Sequence, residues 1–219
     1  QAALALPEQL AWPVDVVHAH DVQAALAVVY RRRWYGGQPL PGPAATLLTV
    51  HNLAHQEIHP AVDVEHTGLP VAAAVYPGPF EFYGRFNLLK GAILESDVVN
   101  TVSPTYAREV TRDPAFGFGL EGVLASRGAD FLGILNGIDT DLWNPALDPH
   151  LPARYDARDL AGKRACKEHL LQRCQLEPGP RPLLGMVARL VAQKGLDLLL
   201  PLLDRLPAAG FSLVVLGDG

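Results

Sequence analysis

The chain has 219 residues, about one and a half times an ordinary domain, and its 49% hydrophobic and 19% charged content excludes a disordered or fibrous protein. A net charge of -5, with Arg31-Arg32-Arg33 as its basic run, excludes a nucleic-acid surface, and no apolar stretch approaches the roughly 18 residues of a membrane span. Cys166 and Cys174 suggest neither a disulfide framework nor a zinc knuckle, which fits a reducing cytoplasm.

Aliphatic and β-branched runs predict six strands. The first covers residues 14–17 and leads into His18-Ala19-His20-Asp21. A helix over 22–34 follows, ending in arginines that suit the negative end of its dipole. The second strand, 46–50, leads into His51-Asn52, and the third, 97–102, into Ser103-Pro104-Thr105. Ser103 is placed to cap a helix beginning near Thr105, with Pro104 at its first position. The fourth strand, 131–135, leads into Asn136-Gly137, which reads as a turn because both residues tolerate positive φ.

Residues 144–160 carry several prolines and no periodicity, as in an inter-domain linker. A helix over 162–175 and a fifth strand over 183–188 come next, then Arg189 and Lys194. A helix over 194–206 kinked at Pro201 precedes the sixth strand, 211–216. The chain begins with Gln1 and stops where a strand should feed a turn, so it reads as cut at both ends. Strands alternating with helices predict α/β architecture with parallel sheets, and the apolar runs predict strands covered on both faces.

Ligands of open parallel sheets bind beyond the carboxyl ends of the strands, where helix N-termini also point. His18, His20 and Asp21 could there ligate a metal, as in a metal-dependent hydrolase, or form a hydrogen-bonding corner. His51, His55 and His59 recur every four residues, but Pro60 and the preceding strand favour a loop over a helix, with His55 and His59 read as solvated loop histidines. Arg189 and Lys194 could be surface charges or a diphosphate clamp, Arg offering a planar fork and Lys a point charge.

Eight stretches in order carry a resemblance. They are His18-Ala19-His20-Asp21, Thr49-Val50-His51-Asn52-Leu53-Ala54, Phe86-Asn87-Leu88-Leu89-Lys90-Gly91, and residues 100–109 from Asn100 to Glu109. Residues 119–124, residues 133–139, Trp143-Asn144-Pro145, and Arg189-Leu190 with Gln193-Lys194-Gly195 complete the set. Together they resemble the bacterial glycogen synthase and plant starch synthase family. Two local departures stand out. The family's His-Asp-Trp-His is His20-Asp21-Val22-Gln23 here, and its Leu-Ala-Tyr-Gln-Gly is Leu53-Ala54-His55-Gln56-Glu57.

The resemblance implies a retaining glucosyltransferase of the GT-B type, with two Rossmann-like domains facing a cleft, both incomplete here. Residues 1–143 would be the later part of the acceptor-side domain, 144–160 the linker, and 161–219 the start of the nucleotide-sugar domain. The family's Lys-Thr-Gly-Gly-Leu loop, and its glutamate and Gly-Gly loop near the donor, have no match in these residues. The implied partners are a nucleotide sugar, ADP-glucose or in some relatives UDP-glucose, and an α-1,4-glucan acceptor, in a cytoplasm more readily bacterial than plastid. Asp21 would stabilise the sugar or orient its hydroxyls, and His51 would hydrogen-bond it. Arg189 with Lys194 would hold the diphosphate, and His20 and Asn136 are further cleft candidates. Because fixed cations can replace magnesium, the resemblance implies neither a metal nor another cofactor. The rival readings are another retaining glycosyltransferase of this type, the metal-dependent hydrolase above, and a non-catalytic glucan-binding remnant.

Overall fold

A computed structural model describes residues 2–33 and 44–219, so the expected end of the first long helix at Trp34 lies outside the described residues. The chain forms two compact units, residues 1–137 and 138–219, taken here in turn.

In the first unit, α1 (Ala2–Gln9) precedes β1 (Val16–His20), α2 (Asp21–Arg33) and β2 (Ala45–Val50). β3 (Ile58–Pro60), β4 (Glu81–Phe82) and β5 (Arg85–Asn87) come next, followed by α3 (Leu88–Glu95) and β6 (Val98–Thr101). The helices α4 (Pro104–Val110), α5 (Pro114–Gly117) and α6 (Glu121–Ser126) lead to β7 (Phe131–Gly133). The main sheet is parallel in the order β1-β2-β6-β7, while β3, β5 and β4 make a small antiparallel sheet that periodicity does not signal.

The main sheet packs its Leu48, Val50 and Val99 with Val22, Ala25, Val28 and Val29 of α2 and with Leu89, Ala92 and Ile93 of α3. These spacings put one apolar stripe of each helix on the sheet. Phe80 completes this core and packs so closely on α3 that a Cβ at Gly91 would come within 1.9 Å of its ring. Asn87 caps α3 by accepting from the Lys90 N–H at 2.9 Å. Ser103 caps α4 by accepting from the Tyr106 N–H at 3.2 Å, and Pro104 opens that helix as expected.

At the opposite end of the strands, Asp97 accepts from both the N–H and the hydroxyl of Thr46, at 2.7 and 2.8 Å. Burial alone would raise its carboxyl. The two Thr46 bonds, with Arg32 and Arg127 nearby, outweigh that and hold it below the usual carboxylate range.

In the second unit, residues 138–160 run through a series of Asx turns. Asp139 accepts from the N–H groups of Asp141 and Leu142, Asn144 from Ala146, Asp148 from His150, and Asp156 from Arg158 and Asp159. Next come α7 (Ala161–Arg173), β8 (Leu183–Val187), α8 (Leu196–Leu199) and β9 (Ser212–Leu216), with β8 and β9 paired in parallel.

Four expectations are corrected. His18 and His20 lie within β1 rather than after it, because the ladder with β2 continues to His20 opposite Thr49. β1 alternates between exposed and covered residues, and β8 and β9 leave most of their residues exposed or half-buried, so these strands are not covered on both faces. The helix expected over 194–206 is broken into a 3-10 turn at Ala192–Lys194, α8, and a 3-10 stretch at Leu200–Arg205. Gly195 at φ 74 interrupts the helical path, and Pro201 lacks the N–H needed to continue an α-helix. Asn136-Gly137 is irregular chain rather than a turn, with neither residue at positive φ.

Candidate functional site

Because β1 and β2 are parallel and in register, their carboxyl ends lie side by side and bring residues 20–21 against residue 51. Asp21 sits where β1 gives way to α2, at φ 54, a left-handed backbone that Asp adopts more readily than most residues. Its Oδ1 accepts from the His51 N–H at 2.7 Å, tying the end of β1 to the loop after β2. The His51 ring reaches back to His20, with Nε2 3.0 Å from Nδ1 of His20 and ring centroids 5.3 Å apart. The His18 ring lies 4.2 Å from that of His20.

A hydrogen bond between two imidazole nitrogens contains one proton, so the states of His20 and His51 are coupled. If His20 donates through Nδ1, a neutral His51 carries its own proton on Nδ1. If His51 donates through Nε2, a neutral His20 carries its proton on Nε2. The bond persists when one ring is charged and is lost when both are.

The loop after β2 is clamped by groups that the sequence reading does not single out. Leu53 donates its N–H to the Tyr106 phenol oxygen at 3.3 Å, which joins this loop to the first turn of α4. Burial pushes the Tyr106 phenol up, the Asp21 and Glu109 charges add to that, and the Leu53 bond opposes it. Gln56 is buried, accepts from Asn87 Nδ2 at 2.6 Å and donates to the Phe118 carbonyl at 3.2 Å. Glu57, where the family has glycine, sits at φ 50, a conformation that glycine enters without a Cβ penalty. His55 is exposed in this loop, whereas His59 lies on β3 rather than in the solvated loop expected for it.

His18 points its Nε2 at Thr49 Oγ1, 2.7 Å away. Desolvation, then the neighbouring His20 and His51, hold it below the ordinary histidine range. With His18 engaged by Thr49 and Asp21 by His51, the three residues weighed as metal ligands do not converge. Among the described residues, no group of three or more His, Cys, Asp or Glu side chains is arranged to hold a metal ion.

In the second unit, Arg189 and Lys194 lie on the loop that leaves β8, both exposed. Among the described residues neither side chain has a hydrogen-bond or ion-pair partner. The loop itself is fixed by its backbone: Ala188 N–H donates to the Leu216 carbonyl at 3.1 Å and Leu190 N–H to that of Asp218 at 2.7 Å. This close approach needs glycine on the facing segment, since a Cβ at Gly217 would come within 1.9 Å of the Ala188 carbonyl oxygen. Asn136 is exposed beyond β7 and is not joined to the His20, Asp21 and His51 corner by any hydrogen bond described above.

Residues 1–126 match the family of the starch synthase catalytic domain, more than half of the chain. The chain belongs to that family. It is 48% identical over 206 residues to glycogen synthase 2 of Geobacter sulfurreducens, covering 94% of this chain and 42% of that protein. It is 49% identical over 222 residues to glycogen synthase of Alkalilimnicola ehrlichii, covering 100% of this chain and 44% of that protein. It is also similar to a solved structure, the catalytic domain of starch synthase IV from Arabidopsis thaliana bound to ADP and acarbose. There the TM-score is 0.86 and the identity 38%, over 99% of this chain and 45% of that one.

The family's Rossmann-like GT-B fold thus accounts for the parallel sheets and alternating helices described above, as the eight matching stretches imply. The chain spans less than half the length of these relatives. No helix among the described residues is long and apolar enough to cross a membrane.

Proposed function

We propose that the protein to which this chain belongs is a glycogen or starch synthase, a retaining glucosyltransferase that passes glucose from ADP-glucose to the non-reducing end of an α-1,4-glucan. The observation that carries this reading is the 48–49% identity to two bacterial glycogen synthases across almost the whole chain. The starch synthase structure bound to ADP supports the choice of nucleotide. On this reading residues 1–143 belong to the acceptor-side domain, 144–160 link it to the nucleotide-sugar domain, which starts at 161, and the protein works in the cytoplasm.

As the glycosyl bond breaks, positive charge grows on the sugar and negative charge on the departing diphosphate. Asp21 supplies a carboxylate for the first, and the cations Arg189 and Lys194, exposed and without a side-chain partner among the described residues, oppose the second. The His51 ring, held by the Asp21 bond to its backbone and by His20, hydrogen-bonds the sugar, and Asn136 is a further contact in this reading. Fixed positive groups on the phosphates make a metal unnecessary.

The test is glucosyl transfer from ADP-glucose and from UDP-glucose to glycogen by the whole protein, before and after dialysis against EDTA. Faster transfer from ADP-glucose that survives the chelator is expected. Preference for UDP-glucose would overturn the donor assignment, and loss of activity restored by a divalent ion would overturn the role given to the two cations.

A further inference from the structure

In a parallel sheet, in-register neighbours share a face. His20, Thr49 and Asn100 are such neighbours on β1, β2 and β6, and His18 lies on the same face two residues before His20. This polar row crosses a face whose other paired residues include Leu47, Val98 and Leu132, and its Thr49 and Asn100 are buried. Burial of a hydroxyl and an amide is tolerated where they bond each other, and here they do. Thr49 donates its hydroxyl proton to Asn100 Oδ1 at 2.6 Å. Having spent its one proton there, Thr49 Oγ1 can only accept from His18, whose Nε2 is 2.7 Å away.

We propose that Asn100 and Thr49 form a buried relay that fixes His18 as the Nε2–H tautomer, and that His18, its ring against that of His20, thereby positions the His20–His51 pair. The chain of contacts is continuous. Asn100 orients the Thr49 hydroxyl, Thr49 orients the His18 ring, and the His18 ring lies 4.2 Å from that of His20. His20 in turn bonds His51 at 3.0 Å, opposite the Asp21 bond to the His51 backbone. Burial and the two neighbouring rings lower the pKa of His18 and so favour its neutral form, which suits this role, because a charged His18 would repel a proton on the adjacent pair. Thr49, Asn100 and His18 are positioning residues: they act on the sugar through His51. That last step rests on the function proposed above, but the tautomer does not.

The experiment is nitrogen NMR of the whole protein with labelled histidine, in which the His18 signal is assigned by its loss in His18→Gln. The proposal expects His18 to be protonated on Nε2 and unprotonated on Nδ1 in the parent protein. Thr49→Val, which keeps the shape and removes the hydroxyl, should release this preference. It should also lower kcat on the order of tenfold, short of the hundredfold that a 1 Å misplacement can cost, with little change in the donor KM. Thr49→Ser should restore both tautomer and kcat.

An Nδ1–H tautomer in the parent protein would overturn the relay, since it requires the hydroxyl to donate towards His18 instead. An Nε2–H tautomer that persists in Thr49→Val would also overturn it. If Thr49→Val does not fold, the parent tautomer and the rescue expected of Thr49→Ser still decide. Loss of the tautomer with unchanged kcat would overturn the positioning role. Full activity of His51→Ala would instead sink the functional reading and leave the tautomer result standing.

Discussion

In the first unit Phe80, Leu48, Leu89 and Ile93 are each 0% exposed, while among the described residues of the second Leu171 is the only buried hydrophobic, and Val187 and Leu216 on its strands are 81% and 67% exposed. The two units hold their candidate site residues by correspondingly different means. His20, Asp21 and His51 stand at the carboxyl ends of β1 and β2, on strands fixed by a packed core, and are joined by hydrogen bonds that span 30 or 31 residues of sequence. Arg189 and Lys194 stand on a loop fixed by backbone bonds to residues 216 and 218. Removing packing should therefore damage the first set, and removing charge the second.

The largest expected effect is on stability. Phe80→Ala should destabilise the first unit by about 3–5 kcal/mol, the cost of emptying a large aromatic site in a close-packed core. Leu216→Ala, at a residue 67% exposed, should cost within about 0.5 kcal/mol. Denaturant unfolding of both variants measures the contrast, and similar losses would abolish it.

Next in size, Lys194→Gln should raise the barrier to glucosyl transfer by roughly 2–4 kcal/mol, the range for loss of one electrostatic contact in a transition state. Since Lys194 is exposed and has no side-chain partner among the described residues, its melting temperature should stay unchanged. Unaltered turnover would return Lys194 to the surface charges.

The smallest effect is on pH dependence. His18 is held below the ordinary 6.5, so the unfolded chain takes up its proton first as the solution is acidified. Its contribution to stability is complete above about 6.5 and declines as pH falls through that value towards the folded one. Unfolding followed between pH 8 and pH 5 should show this slope weakened in His18→Gln. An identical slope in the two proteins would remove His18 from the account.

The sequence made the α/β class and all six strands of the parallel sheets legible, because β-branched and aliphatic runs bounded by turns are a strong signal. β3, β4 and β5, of three, two and three residues, are too short to show a period. The boundary of β1 was misplaced because what extends it to His20 is pairing with β2, not the propensity of its own residues. Within the site, Asp21, His20 and His51 stood out as polar residues near strand ends and as parts of matching stretches. Thr49, Asn100 and Tyr106 lie in matching stretches too, but nothing in the sequence marks them, or Gln56, as parts of a site. The Thr49–Asn100 pair is 51 residues apart and is created by strand register, and the Leu53–Tyr106 bond is 53 residues apart and depends on where α4 begins.

On the proposed function the corner formed by Asp21 and His51 serves glucosyl transfer, and Asp21→Asn isolates its charge. Asparagine retains the Oδ1 that accepts from the His51 N–H, so the loop after β2 stays in place while the charge is removed. Steady-state kinetics of the whole protein, with thermal unfolding alongside, should show turnover falling by roughly a hundredfold or more. The donor affinity should change far less and the melting temperature hardly at all, because the charge acts mainly in the transition state. Unaltered turnover in the folded variant would exclude a role for that charge and leave Asp21 as no more than the acceptor that secures His51.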